Sequence, residues 1–512
     1  MRSLFAEAPA IGGIRQSRPG TSLLRKLMLR AKGSVTLMPV AEQPVELAEA
    51  FGMVIRDPFY EWNRHELHPQ TTNYEFLTEM ASNLYALGVR WVRIEFHADP
   101  GGSYGAIDYR KYDWFVNVLA PRFGLKILAL FNTDIVRGSG SEIGTFQATG
   151  AADPQGAYIK VFADRAVEIA TRYGPNLHAY EILNEPNKAA PAAETQGAQD
   201  EISPEAVGTL MCAVFPRLKA VQDVPVLLGG LRTGMPKDVM HGARRYLSAI
   251  YESPSVRTFR SAESRWPFDA VGLHPYHDGD NSANTVEEVL SKLSGVHALM
   301  KAHGDAGAIW ITKIGMEAGP SPKGDRPSEG EIRQANFLNG VYSGVLRSKR
   351  DFVQRVFWFK YEDFGADRDE TWGLVRLEIP QGAKEPDPDG AIARRRPAFS
   401  VYSALTPAPA PLTVIGPAAP TNLEVVKRLG GDIEFAWQAS IPGTHPIKEH
   451  QLYRASEPDM RDAQHVATLE YTLRAKGRAP RGASYYAICA IDTAVPPNIS
   501  DFSNVVKVTR RI

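Results

Sequence analysis

The segment "HAYEILNEPN" (178–187) is a short apolar run, Ala-Tyr-Glu-Ile-Leu, bounded before by "GPN" and after by Asn-Glu-Pro. Its length and punctuation read as a buried strand that stops where the proline forbids further ladder pairing. A strand of this kind leaves Asn184 and Glu185 at its C-terminal end. Their role depends on how many similar strands surround them.

Outward from this segment the same unit recurs. Strand candidates are "FGMVI" (51–55), "VRWVRIEF" (89–96), "LKILALF" (125–131), "HAYEILN" (178–184), "VPVLLGG" (224–230), "FDAVGLH" (268–274), "AIWIT" (308–312) and "RVFWF" (355–359). Between them lie amphipathic stretches with clear starts. "SPEAVGTLMCAVFPRLKAV" (203–221) opens on a Ser N-cap with Pro at the first helical position. "TVEEVLSKLSGVHALMKAHG" (285–304) pairs Thr285 with Glu288 as a capping box and closes on Gly304. Eight strand–helix units predict a (β/α)8 barrel, with a doubly wound open sheet as the competing topology. No GxGxxG or GxxxxGK[ST] follows the early strands, so a nucleotide site is not expected.

The flanks differ in composition. Residues 1–47 read as a poorly defined leader: "TSLLRKLMLRAKG" (21–33) is basic and amphipathic but lacks the apolar stretch of a signal peptide. Residues 48–405 hold the barrel, and "TPAPAPLTVIG" (406–416) is a Pro/Ala-rich linker. Beyond it, residues 417–512 alternate in short strand-like pieces around Trp437 and Tyr485–Tyr486, which predicts an all-β sandwich.

Lys+Arg and Asp+Glu balance at 58 each, so no nucleic-acid footprint is expected. No apolar run approaches the roughly 20 residues that span a bilayer. Cys212 and Cys489 fall in different predicted domains and read as free thiols. HExxH, CxxC and a grouped Asp/Asn/Gly calcium loop are all missing, so neither a metal nor another cofactor is expected.

In barrels of this class the chemistry lies at the C-terminal ends of the strands. Those ends carry Arg93, Glu95 and His97; Asn132 and Asp134; Asn184 and Glu185; His274 and Tyr276; and Trp358, with Glu362 and Asp363 beyond it. Polar hydrogen-bonders around a carboxylate, with an aromatic face, suit a hydroxyl-rich ligand such as an oligo- or polysaccharide.

With these residues in view, positions 48–406 resemble a clan A glycoside hydrolase, most closely of the family 39 type. "YEILNEPN", "FDAVGLHPY", "AIWITKIG" and "FWFKYEDFG…WGLVR…RRPAFSVYSAL" carry the resemblance, in the family's order. The C-terminal stretch resembles a fibronectin type III domain. The resemblance implies a retaining hydrolase of β-glycosidic bonds with Glu185 as acid/base, and it favours an extracellular or cell-envelope location. It also implies a glutamate nucleophile on strand 7, in the pattern W-[IVL]-T-E-x-G. Here Trp310, Ile311, Thr312 and Gly315 fit, and Lys313 occupies the glutamate's place.

An ammonium cannot form a glycosyl ester. It also reverses the field on Glu185: at about 5.5 Å and an effective dielectric near 20, one unit charge acts with about 3 kcal/mol. Glu185 is then expected to be ionised and a poor acid. Glu317, in the loop after strand 7, is the candidate replacement carboxylate for an inverting mechanism. The two readings are a glycosidase with a rearranged site and a catalytically inactive glycan-binding pseudo-glycosidase.

Overall fold

The computed structural model describes residues 45–64, 70–100, 104–136, 157–188, 202–233, 242–276, 285–319, 326–363, 371–377, 392–429, 431–470 and 472–510. Nearly all of the expected leader falls outside these residues, as do residues 189–201 and 378–391.

Eight parallel strands close into a barrel: β1 (Phe51–Val54), β2 (Trp91–Glu95), β3 (Lys126–Phe131), β4 (Ala179–Asn184), β5 (Val226–Arg232), β6 (Ala270–His274), β7 (Ala308–Ile314) and β8 (Val353–Trp358). Pairing of Phe51 with Val356 and of Met53 with Trp358 joins β1 to β8, which rules out the open doubly wound sheet. The helices form where their caps say they should. Ser203 accepts from the Ala206 amide, Thr285 from the Glu288 amide, and Ser328 and Glu331 form a reciprocal capping box. Among the described residues no helix is long and apolar enough to cross a membrane.

The barrel interior fills in layers, and the layers position the site. An apolar layer of Trp91, Leu128, Ala179, Leu227, Ala270, Trp310 and Phe357 forms the floor. One inward step along β2 and β4 comes the Arg93–Glu181 ion pair, with Nε donating to Oε2 at 2.5 Å. Above this pair lie the strand ends.

Two local irregularities shape those ends. In β5, Cβ atoms on Gly229 and Gly230 would lie 2.2 Å from the Leu183 carbonyl oxygen and 2.1 Å from His274 Nε2, so close approach demands glycine at both. In β7 the register against β8 shifts between Ile311 and Ile314. Beyond the barrel, β9 (Val375–Leu377) and β10 (Ile392–Arg395) make an antiparallel pair, and the final helix Pro397–Leu405 packs on Glu329–Ser348.

The C-terminal region is all-β. Strands β11 (Thr421–Leu429), β12 (Asp432–Gln438) and β15 (Arg474–Arg478) form one antiparallel sheet. Strands β13 (Ile447–Ala455), β14 (Gln464–Leu469), β16 (Gly482–Asp492) and β17 (Val506–Arg510) form the other, in the order β14-β13-β16-β17. Trp437, Phe435, Leu452, Tyr486 and Ile488 are buried together in its core. Arg122 of the barrel donates to the carbonyl oxygens of Pro442 and Gly443 at 2.9 and 2.5 Å, tying the two regions together. Both cysteines are free thiols.

Candidate functional site

Glu185 follows β4 directly, and its φ of 49° places it in the left-handed region that a non-glycine residue enters only under constraint. Its amide donates to the Gly230 carbonyl at 3.1 Å. Side-chain partners hold it further. His274 Nδ1 donates to Oε1 at 2.8 Å, Lys313 Nζ lies 3.8 Å from the same oxygen, and Arg232 Nη1 lies 3.8 Å from Oε2. The strand 7 lysine therefore projects into the barrel mouth, where its Nζ also sits 4.3 Å from the centre of the Phe359 ring.

The electrostatics follow from these contacts. Burial alone would raise the Glu185 pKa, but Lys313, the His274 hydrogen bond and Arg232 outweigh it and hold the carboxyl well below its usual range. For His274, burial lowers the pKa against the pull of Glu185, and Arg93 and Lys313 lower it further. An ionised carboxylate can only accept, so the neutral ring carries its proton on Nδ1, and Nε2 accepts from the Thr312 hydroxyl at 3.0 Å. Lys313 is also lowered by burial, opposed by Glu185 and reinforced by Arg93, Arg232 and Lys188.

Arg93 Nη2 donates to Asn184 Oδ1 at 2.9 Å, and the Asn184 amide donates to Asn132 Oδ1 at 3.2 Å. One chain of contacts thus links the ends of β2, β3 and β4. Tyr276 is buried with its hydroxyl unpartnered, and Arg232 lies 5.7 Å from its ring centre. Arg93, Asn132, Asn184, Glu185, His274, Tyr276 and Lys313 accordingly form one neighbourhood.

The other expected residues fall elsewhere. His97 sits on the β1–β3 side, its Nε2 3.1 Å from Asp57 Oδ2, flanked by the rings of Phe59 and Tyr60. Nearby, burial pushes the Glu95 carboxyl up to about 7; His97 and an Asn132 hydrogen bond oppose the rise, while Asp57 and Asp134 add to it. Glu317 is half-buried between Met316 and Ala318, whose backbones are bound by Gln334 and Thr371. Glu362 is paired with Arg56 at 3.0 Å and Asp363 with Arg396 at 2.6 Å, so both serve structural ion pairs.

Trp358 requires correction. It is fully buried and packs against Phe337 of the surrounding helix layer, because Phe357 takes the inward position of β8. The ring against Lys313 is that of Phe359 instead, with Trp372 packed on it. Trp372 is half-buried, with its ring edge-to-face to Tyr276 at 6.0 Å and to Phe359 at 5.6 Å. Arg232 was missed as well, because Gly229-Gly230 reads as the end of a strand that continues two residues further.

Gly230 offers a direct test of this packing. His274 is held at both ring nitrogens and cannot retreat from an added methyl group. Gly230→Ala is expected to destabilise the chain by about 1–3 kcal/mol in urea titration. Gly477→Ala, where a Cβ meets nothing within 4 Å, is expected to shift the midpoint little.

No protein-family model matches the chain, and no curated protein sequence matches it significantly. Among solved structures it is similar to a family 39 glycoside hydrolase from the gut symbiont Bacteroides cellulosilyticus WH2: 14% identity, covering 86% of this chain and 83% of that one, with a TM-score of 0.44. It is also similar to the β-glycosidase BGL167 at 14% identity, 72% and 99% coverage and a TM-score of 0.46. A β-glucosidase from Thermotoga maritima gives 13% identity, 72% and 98% coverage and a TM-score of 0.48.

Proposed function

We propose that residues 48–405 are a glycoside hydrolase-like barrel that binds β-linked oligo- or polysaccharide in its cleft without hydrolysing it. The observation that carries this reading is Lys313 Nζ at 3.8 Å from Glu185 Oε1. The general acid of a retaining glycosidase must hold a proton when substrate binds, and the nucleophile must be a carboxylate. Here the first group is ionised and the second is a cation. The hydrogen-bonding set of Arg93, Asn132, Asn184 and His274 is compatible with sugar hydroxyls, and Trp372 supplies the apolar face that sugar rings stack on.

Residues 417–512 are, on this reading, a fibronectin type III-like module that packs against the barrel as a spacer. Their split into a three-stranded and a four-stranded antiparallel sheet supports it.

The test pairs native affinity gels containing β-glucan or xylan with assays of aryl β-glycosides and of reducing-end release. The unaltered chain is expected to be retarded on at least one polysaccharide and to release no product. Trp372→Ala is expected to weaken retention about tenfold, the loss of one stacked aromatic. Product release that disappears in Glu185→Gln would overturn the reading in favour of an active glycosidase, with Glu317 the next residue to replace.

A further inference from the structure

We propose that Asp57, Glu95 and His97, on the β1–β3 side of the barrel mouth, form a binding site for a divalent transition-metal ion such as Zn²⁺ or Mn²⁺. One carboxylate oxygen from each acid and one ring nitrogen of His97 lie within 4.8 Å of one another. Glu95 and His97 stand two apart at the end of β2, but Asp57 lies 38 residues before Glu95, so no local ligand motif announces the set. They meet because β1 and β2 are neighbours in register, Val54 opposite Arg93, so the residues following both strands emerge together.

One buried atom points to a missing ligand: Glu95 Oε1 is shut off from solvent and has no donor. His97 is only 4% exposed, and its Nε2, rather than the unpartnered Nδ1, is the nitrogen turned toward Asp57. An unpaired carboxylate oxygen in such a place is costly unless it takes up a proton or a cation.

The surroundings favour a cation. Asp57 and Asp134 act on Glu95 as further negative charges. The nearby guanidinium of Arg93 is already bound by Glu181 and Asn184. The remaining contacts fix the ligands in place. Asp57 Oδ1 accepts the Glu95 amide at 2.6 Å and the Tyr112 oxygen accepts the His97 amide at 2.8 Å, while the 3.1 Å contact between Asp57 Oδ2 and His97 Nε2 is the one a bound ion would replace. Ligands held by carboxylate and backbone contacts of this kind are typical of protein metal sites. A mixed imidazole and carboxylate set suits zinc or manganese better than calcium, which prefers oxygen alone.

The full chain, stripped with a chelator, would be titrated calorimetrically with ZnCl₂ and separately with MnCl₂. One-to-one binding of either ion is expected, accompanied by a rise in melting temperature. His97→Ala and the isosteric Glu95→Gln are each expected to weaken it at least tenfold while leaving the circular dichroism spectrum unchanged. If His97→Ala fails to fold, Glu95→Gln decides the matter. The proposal is overturned if neither ion binds at millimolar concentration. It is equally overturned if binding persists at full affinity in the folded variants, which would place the ion on other side chains. Neither outcome depends on whether the cleft holds a glycan.

Discussion

Lys313→Glu is expected to hydrolyse aryl β-glycosides at least about 10³-fold faster than the unaltered chain, whose turnover should not exceed background. The distances favour a gain of function. A glutamate oxygen ends about one bond, roughly 1.5 Å, short of a lysine nitrogen. Starting from 3.8 Å between Lys313 Nζ and Glu185 Oε1, the substitution leaves the carboxyls about 5 Å apart, the spacing of retaining enzymes.

Charge changes in the same direction. In the unaltered chain Glu185 is held well below the usual carboxylate range, so it stays ionised through neutral pH and its ion pair is lost only in strong acid. With two carboxylates facing each other, one is pushed up and can carry the proton that the leaving group needs. The variant should therefore show a bell-shaped pH–rate profile, its alkaline limb reporting loss of that proton, and Glu185→Gln in the same background should abolish the gain. Turnover by the unaltered chain that Lys313→Glu leaves unchanged would mean that position 313 is not a nucleophile slot.

The barrel was legible because each parallel strand, covered on both faces, is a continuous apolar run set off by caps and glycines. Where a residue points was harder to read. Alternation fails at bulges, and β7 carries one between Ile311 and Ile314, around the residue that mattered most. In β8 a single step separates Phe357, facing the floor, from Trp358, facing the helices, and no pattern of polarity marks which is which. Arg232 was hidden by two glycines that look like a strand end but are required by the His274 ring and a β4 carbonyl. Trp372 lies far from β8 in sequence and reaches Phe359 and Tyr276 only through tertiary packing. The Asp57–Glu95–His97 cluster was half legible: Glu95 and His97 stand two apart at the end of β2, but Asp57 joins them only through the pairing of β1 with β2.

The second large effect concerns the layer beneath the cleft. Arg93→Ala is expected to cost about 3–5 kcal/mol of folding stability, the usual loss when one member of a buried ion pair is removed. Glu181 is fully buried, its Oε2 is bound by Arg93 at 2.5 Å, and its Oε1 has no hydrogen-bond partner. Without the guanidinium the carboxyl must either stay charged in an apolar barrel or take up a proton. Removing both charges should be far milder: Arg93→Met with Glu181→Leu is expected to recover most of the loss in a double-mutant cycle read by urea denaturation. Binding should not recover with it. The second arm of Arg93 holds Asn184, whose amide is fixed on Asn132, and neither methionine nor leucine can replace that donor. A double variant that is stable yet fails on the affinity gel would separate the pair's role in the barrel from its role in aligning the cleft. If Arg93→Ala instead costs less than about 1 kcal/mol, the layer is held by packing and hydrogen bonding rather than by the ion pair.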